Sequence, residues 1–515
     1  MAGVFYFYSQ RNIPVFLTSL IKRFIKVRQS SLRRHYTEPL VLQEKVFSQL
    51  INYGASTQFG KYYGFRYIRS RDDFARKVPI QPYEALFPWF QKVMRGEPSV
   101  LWPGKVSWFA KTSGSTNDRS KYIPITREAL YQCHYRAAQD ALAIYFIHNP
   151  SSRLLDGKAF ILGGSSALHP EFKGIHTGDL SAVLMHNSPW LSRWLRVPSN
   201  KIALLGDWEK KMAILVKLLP RYSLTSLSGV PSWMLVLLEK ILESCRAQTL
   251  ETIWPRLELF IHGAVNFEPY RERFRTIFGN LPVQFLETYN ASEGFFAIQD
   301  SPDSDQMLLL LDHGIFYEFV PLDKINEPSP PAYHLGEVKT GITYAMVIST
   351  NGGLWRYLIG DTVRFTSLHP FRIRIAGRTK HFINVFGEEL MVENAERAIS
   401  ECARKFGVTV LNFTAGPVFM KAGSPGAHEW FIEFAEEPPP LEAFGRALDQ
   451  ALRKLNSDYD AKRVGDYALG PPILHAVPRG TFDRWLKLKN RLGGQHKVPR
   501  LSNERTILEE IRQLL

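Results

Sequence analysis

Apolar segments that run straight into glycine and small hydroxyl residues recur along the first three hundred residues, with helical segments between them. GKAFILGGSS (157–166), LELFIHGA (257–264) and PVQFLETYNASEG (282–294) read as strands. REALYQCHYRAAQDALAIYFI (127–147) and VPSWMLVLLEKILESC (230–245) read as helices, the second with Pro231 in its first turn, where proline is tolerated. This alternation predicts a mixed α/β body, which binds ligands at the carboxyl ends of its strands. From about residue 300 to 375 strands dominate. MLLLLDHG and IFYEFVPL read as a hairpin turning at Asp312-His313-Gly314, and YAMVISTNGGLWRYLIGD as a second one turning at Asn-Gly-Gly. GRTKHFINVFGEEL (377–390) reads as a junction. A helix (392–406), the strand HEWFIEF and the helix LEAFGRALDQALRKLNSDYDAKR (441–463) follow it. The expected fold is α/β: a large N-terminal domain with a β-rich portion, 1–376, and a small α+β C-terminal domain, 377–515.

Composition narrows the function classes. At 515 residues, 45% hydrophobic and 22% charged, the chain can bury a large core without covalent staples. Cys133, Cys245 and Cys402 stand too far apart for a metal spacing or a disulfide framework, which predicts a reducing, cytoplasmic setting. The net charge of +15 points to anionic partners. Residues 1–37 carry seven Lys or Arg and no acid, and Arg479–Arg500 carries seven more against Asp483 alone. These segments lack aromatics at stacking spacing, and no DNA-binding motif occurs, so nucleic acid is not the expected partner. VFLTSLIKRFIKVR, near the amino terminus, has helical apolar spacing and is too short to span a membrane. It predicts an amphipathic helix packed on the body, with peripheral membrane contact as the alternative.

Four short segments could carry chemistry. KTSGSTNDRSK (111–121) crowds hydroxyls, a glycine and flanking lysines into one loop, a composition that can cradle phosphate oxygens; it lacks Walker A spacing, and a plain polar turn would look similar. ETYNASEG (287–294) sets Glu293 between Ser292 and Gly294, read either as a ligand-facing carboxylate or as a solvated turn. In RYLIGDTVRF (356–365), Asp361 at a strand end could accept a ribose diol, or Gly360-Asp361 could be a tight turn. GRTK (377–380) adds two cations, and GGQHKVPR (493–500) is a Gly-rich basic loop able to close over an anion or simply to be solvated.

In this order, and together with SGVPSWM (228–234) and LNSDYDAKR (455–463), these segments resemble the adenylate-forming enzymes. More closely they resemble the GH3 family of acyl acid–amido synthetases, from about residue 40 to the carboxyl end. The resemblance implies a mobile C-terminal domain, with ATP and Mg²⁺ as cosubstrates. A small carboxylic acid would attack the α-phosphate to give an acyl-adenylate. An amine, usually an amino acid, would then displace AMP. Carried over by position, Ser113, Gly114, Ser115 and Thr116 resemble the loop around the phosphates, with Tyr122 near AMP. Thr288 and Tyr289 resemble the adenine side, Asp361 the ribose partner, Glu293 the Mg²⁺ partner and Arg378 the hinge arginine. Ser165, Val230 and Trp233 are expected walls of the acyl pocket, although Trp233 also fits a plain core role. His169 and His262 read as structural histidines. Plant members place a lysine near AMP where this chain has Glu389, and a carboxylate there would repel phosphate. Either Lys380 or the catalytic candidate Lys497 supplies the cation, or the register differs. The competing readings are an adenylate-forming acid–CoA ligase and a non-catalytic basic protein at membrane or nucleic acid.

Overall fold

The computed structural model describes residues 15–112, 121–164, 166–168, 172–189, 192–265, 267–302, 304–379, 382–421, 424–489 and 498–515. Its centre is a twelve-stranded mixed sheet. On one side Gln284–Ala291, Leu259–Gly263, Leu224–Ser228, Lys158–Ile161 and Arg196–Val197 lie side by side and parallel. Parallel neighbours need crossover connections, and the helices Pro231–Cys245 and Glu268–Phe278 supply two of them. Leu235, Leu237, Leu238 and Ile241 of the first are buried with Phe260 and Phe274 in one apolar cluster.

The other side of the sheet is antiparallel, and here one sequence expectation fails. Met307–Leu309 and Ile315–Pro321 are not partners. The first pairs with Gly294–Gln299 and Phe371–Arg378, the second with Tyr333–His334 and Thr343–Thr350. Asp312-His313-Gly314 therefore crosses between distant strands, and its polar side chains turn into the protein. The hairpin expected around Asn-Gly-Gly does form: Thr343–Thr350 pairs antiparallel with Tyr357–Leu368, and Gly353 takes a φ of 88° in the loop. Trp108–Thr112 and Lys121–Ile125 pair antiparallel, as the strand–loop–strand reading requires.

The helix Val15–Thr37 packs along Tyr135–His148, burying Ile25 and Leu32. Beneath it lies a buried network of charges. Arg28 grips Asp140 through two 2.7 Å hydrogen bonds. The two ring nitrogens of His313 face Asp140 (2.9 Å) and Asp312 (3.0 Å). Asp312 also meets the Arg136 guanidinium and lies 3.3 Å from His35. His35, Asp312 and His313 could be taken for metal ligands by proximity, but the Arg136 charge on the same carboxylate opposes a cation. The cluster is an ion network that fastens the first helix to the body, in line with the packed-helix expectation. Among the described residues no helix is long and apolar enough to cross a membrane.

Residues from Ile383 onward build apolar clusters of their own around Trp430, Phe444, Leu448 and Tyr459, and around Phe482 and Trp485. A three-stranded sheet, Val410–Val418, Ala427–Phe434 and Ile473–Val477, carries the helices Val392–Phe406 and Leu441–Leu455. The last helix is shorter than its apolar pattern suggests. Asn456 breaks it by capping a new one, Ser457–Lys462, its side chain accepting the Tyr459 amide at 2.7 Å. The fold is thus a large mixed α/β lobe and a smaller α+β lobe.

Candidate active site

Because the parallel strands share one direction and register, Gly163, Gly229, Ala264 and Thr288 gather at their common carboxyl edge. The backbone there is tightly drawn together. A Cβ on Gly263 would fall 2.3 Å from the Thr288 carbonyl oxygen, so only glycine fits. The Thr288 hydroxyl donates to the His262 carbonyl at 3.0 Å. His262 stacks on Phe267 with ring centroids 3.9 Å apart, and burial pushes its imidazole down to about 3. It is neutral at physiological pH and structural, as expected, although its Nδ1 has no hydrogen-bond partner among the described residues.

The Tyr289 hydroxyl donates to Asp361 at 2.7 Å, and both side chains are buried. Their strands are four places apart in the sheet. In a flat sheet four spacings put them roughly 19 Å apart. A single side-chain bond bridges them only because the sheet bends sharply back on itself, with Phe296 and Tyr317 packed inside the bend. Gly360 and Asp361 are not a tight turn, contrary to that alternative. They lie inside the strand Tyr357–Leu368, where Gly360 has a φ of 94° and Asp361 stands opposite Arg378.

Glu293 occupies the two-residue turn between Gln284–Ala291 and Gly294–Gln299, and the Tyr357 hydroxyl donates to it at 3.4 Å. A Cβ on Gly294 would sit 2.5 Å from Ile315, so the turn is seated directly on the core and Glu293 is held at a fixed height. Arg356, just before Tyr357, is a packing anchor. It makes a buried two-point pair with Glu318 and donates to the carbonyls of Ala75 and Val78. Tyr83, which the sequence did not single out, ties in the strand Lys121–Ile125, partner of Trp108–Thr112. Its hydroxyl accepts the Tyr122 amide at 2.9 Å. Burial first, with the Glu293 charge contributing, pushes that phenol up to about 12. Tyr122, in the strand Lys121–Ile125, is thus tied by its backbone to Tyr83, on which the Glu293 charge acts. In the same strand as Thr288, burial pushes the Glu287 carboxyl up to about 7.

The structure therefore joins Tyr289, next to Thr288, to Asp361, and Glu293 to Tyr357, and ties the Tyr122 backbone to Tyr83, on which the Glu293 charge acts. Ser113, Gly114, Ser115, Thr116, Ser165, His169, Lys380 and Lys497 lie outside the described residues, and Arg378 is described only in its backbone. Val230 caps the helix Pro231–Cys245, and Trp233 is buried in its first turn, so the core role for Trp233 is realised. This turn forms the seam with the smaller lobe. Ser232 and Tyr270 donate to the carbonyls of Phe386 (3.1 Å) and Val385 (2.7 Å), and the Lys462 ammonium lies 4.7 Å from the Trp233 ring centre. Across the seam, Glu388 accepts the Val385 and Phe386 amides and meets His428 at 2.8 Å, while Glu389 has a φ of 38°.

Three domains of one family match the chain in succession: the GH3 family N-terminal domain over residues 28–283, its central domain over 308–378 and its C-terminal domain over 393–506. Curated relatives include the probable indole-3-acetic acid-amido synthetase GH3.1 of Arabidopsis thaliana, 22% identical, with 91% of this chain and 90% of that one aligned. The jasmonoyl–L-amino acid synthetase JAR6 of Nicotiana attenuata is also 22% identical, over 89% and 90% of the two chains. Among solved structures, the GH3.15 acyl acid amido synthetase aligns over 94% of this chain and 95% of its own, with a TM-score of 0.59 and 18% identity. A 2-hydroxyisobutyryl-CoA ligase holding 2-HIB-AMP and CoA aligns over 94% of both chains with a TM-score of 0.54 and 14% identity. These last two likenesses show the fold. Matched by all three of its domains along most of its length, the chain belongs to the GH3 family.

Proposed function

We propose that this protein is an ATP-dependent acyl acid–amido synthetase, which adenylates a small carboxylic acid and passes the acyl group to the amine of an amino acid. The observation that carries this reading is the pair of contacts, Tyr357 to Glu293 and Tyr289 to Asp361, that holds both carboxylates between the same two chain segments, with the Tyr122 backbone tied in through Tyr83. Family membership and the names of the relatives support the same reaction.

A carboxylate is a poor acylating agent because oxide is a poor leaving group; adenylation replaces oxide with AMP. Asp361, oriented by the Tyr289 phenol, is the acceptor for the ribose hydroxyls. A carboxylate offers about four acceptor sites, and this phenol takes one. Thr288 and Tyr289 border the base, and the hydroxyl-rich 113–116 loop, leading into Tyr122, receives the phosphates. Glu293 fits a Mg²⁺ ion bound with the triphosphate. It is a hard oxygen donor, and its 3.4 Å contact with Tyr357 is longer than a strong O–H···O⁻ bond. Mg²⁺ is typically held by one or two carboxylates together with substrate phosphates. When bound, the ion neutralises charge building on the α-phosphate and pyrophosphate. The domains act as 1–376, for ATP and acid, and 377–515, the closing lobe bearing Arg378 and Lys497.

The test is carboxylate-dependent exchange of labelled pyrophosphate into ATP across a panel of aryl and aliphatic acids, followed by mass spectrometry of the products. Amides with amino acids support the reading. Thioesters with coenzyme A and no amide would replace it with a CoA ligase, and absence of exchange with every acid would remove adenylation altogether. Within that assay, Asp361→Ala is expected to raise the KM for ATP about 10- to 100-fold, the worth of a hydrogen bond to a charged group. Tyr289→Phe, which removes only the orienting bond, is expected to raise it less. Equal effects would make Asp361 an internal anchor for the bend and no ribose ligand.

A further inference from the structure

Lys462 stands apart from the other cations of the seam. It ends the short helix Ser457–Lys462, whose start Asn456 sets, and reaches out of the smaller lobe over the larger one. Its ammonium lies 4.7 Å from the Trp233 ring centre. A Cβ on Gly387 would sit 3.3 Å from that ammonium and 4.0 Å from Val230, so the cation, the Gly387 turn and the Val230–Trp233 corner share one small space. Among the described residues the ammonium has no hydrogen-bond or ion-pair partner, although an ammonium carries three donors. Burial lowers its pKa.

The charged groups that face Lys462 are Asp458 on its own helix, Glu388 and Glu389 on the Gly387 turn, and Asp179 on the larger lobe. Glu388 is already engaged by two amides and His428. Asp179 abuts Gly164, where a Cβ would fall 2.0 Å from its carboxylate oxygen. Lys462 therefore stands over the carboxyl ends of the strands Lys158–Ile161 and Leu224–Ser228, not over Asp361 and Tyr289. Lys211, the neighbouring cation, is spent on the Gly163 and Gly164 carbonyls, whereas Lys462 is set among carboxylates with its donors turned to no described acceptor; such surroundings match a zwitterion, whose carboxylate Lys462 takes and whose ammonium suits the acidic field. The same acids repel a polyphosphorylated acceptor such as coenzyme A.

Resting on the amido-synthetase reading, we propose that Lys462 binds the carboxylate of the amino-acid acceptor, so that the second half-reaction selects amines bearing a free α-carboxylate. A cation at this place would equally suit the adenylate phosphate. The position over Val230 and Trp233 favours the acceptor, and the test separates the two.

The test compares each amino acid with its carboxamide, which keeps the amine and loses the negative charge. In the wild-type enzyme the amino acid should have the lower KM. In Lys462→Met the KM for the amino acid should rise at least tenfold while that for the carboxamide moves less than twofold, and Lys462→Arg should restore most of the difference. Equal shifts for both acceptors, or none, would overturn the proposal. So would a matching loss of pyrophosphate exchange, which would assign Lys462 to the phosphate. A wild-type enzyme that exchanges pyrophosphate but makes no amide would instead sink the parent reading, and this proposal with it.

Discussion

Glu293→Ala is expected to lower pyrophosphate exchange by about 10²–10³-fold, the equivalent of losing several kcal/mol of metal-assisted charge stabilisation. The fold should persist, because the turn that carries Glu293 is held by Gly294 packing on Ile315. Glu293→Gln sharpens the test. It keeps the shape and a hydrogen-bond acceptor for Tyr357 but removes the charge, so it should fall nearly as far. A second readout does not need turnover. Calorimetric ATP binding to the wild-type protein should tighten on adding Mg²⁺, and that gain should vanish in both variants. Exchange within twofold of wild type in Glu293→Ala would take the residue out of the mechanism.

Asp140→Ala should cost about 3–5 kcal/mol of folding stability, measured as a lower urea midpoint, because it leaves buried cations uncompensated. Arg28 would lose both of its 2.7 Å bonds and His313 one of its two carboxylates. The network also sets a pH profile. Burial alone would lower the His313 pKa; hydrogen bonds to Asp140 and Asp312 outweigh it and hold the pKa above 6.5. Its contribution is therefore complete below 6.5 and fades as pH rises through the raised value. For Asp140 and Asp312 burial acts upward, and bonds from His313, with Arg28 on Asp140 and His35 on Asp312, hold them below 3.8. Their contribution is complete above 3.8 and is lost as pH falls through the lowered values. The network is strongest between about 4 and 6.5, and His313→Gln should flatten the alkaline limb of the wild-type stability profile. An unchanged alkaline limb would place the titration elsewhere.

The alternation of apolar strands and helices was enough to read the parallel half of the sheet, because each strand repeats the same local pattern. The antiparallel half was less legible. Asp312-His313-Gly314 has the composition of a hairpin turn, yet its flanking strands find other partners, and only the buried charges beneath the first helix show why its side chains turn inward. In the candidate site, Glu293 and Asp361 were legible as carboxylates beside glycines. Tyr83 was not, since its role depends on a contact with the Tyr122 amide 39 residues away in sequence. Lys462 lies in LNSDYDAKR, one of the segments that carry the family resemblance, but no role could be read for it: its helix reads as the tail of a longer one until Asn456 interrupts it.

Under the proposed function, the fold-over of the large sheet makes nucleotide recognition a property of shape as well as of side chains. Asp361 stands beside Tyr289 because aromatic packing behind that tyrosine keeps two remote strands within arm's length. If Asp361 holds the ribose as proposed, flattening the curve by trimming Phe296 or Tyr317 would draw it away from the sugar while leaving its own side chain unchanged. On the proposed reading, affinity for the cosubstrate and the stiffness of the β-scaffold are therefore a single inherited trait, and neither can drift without the other.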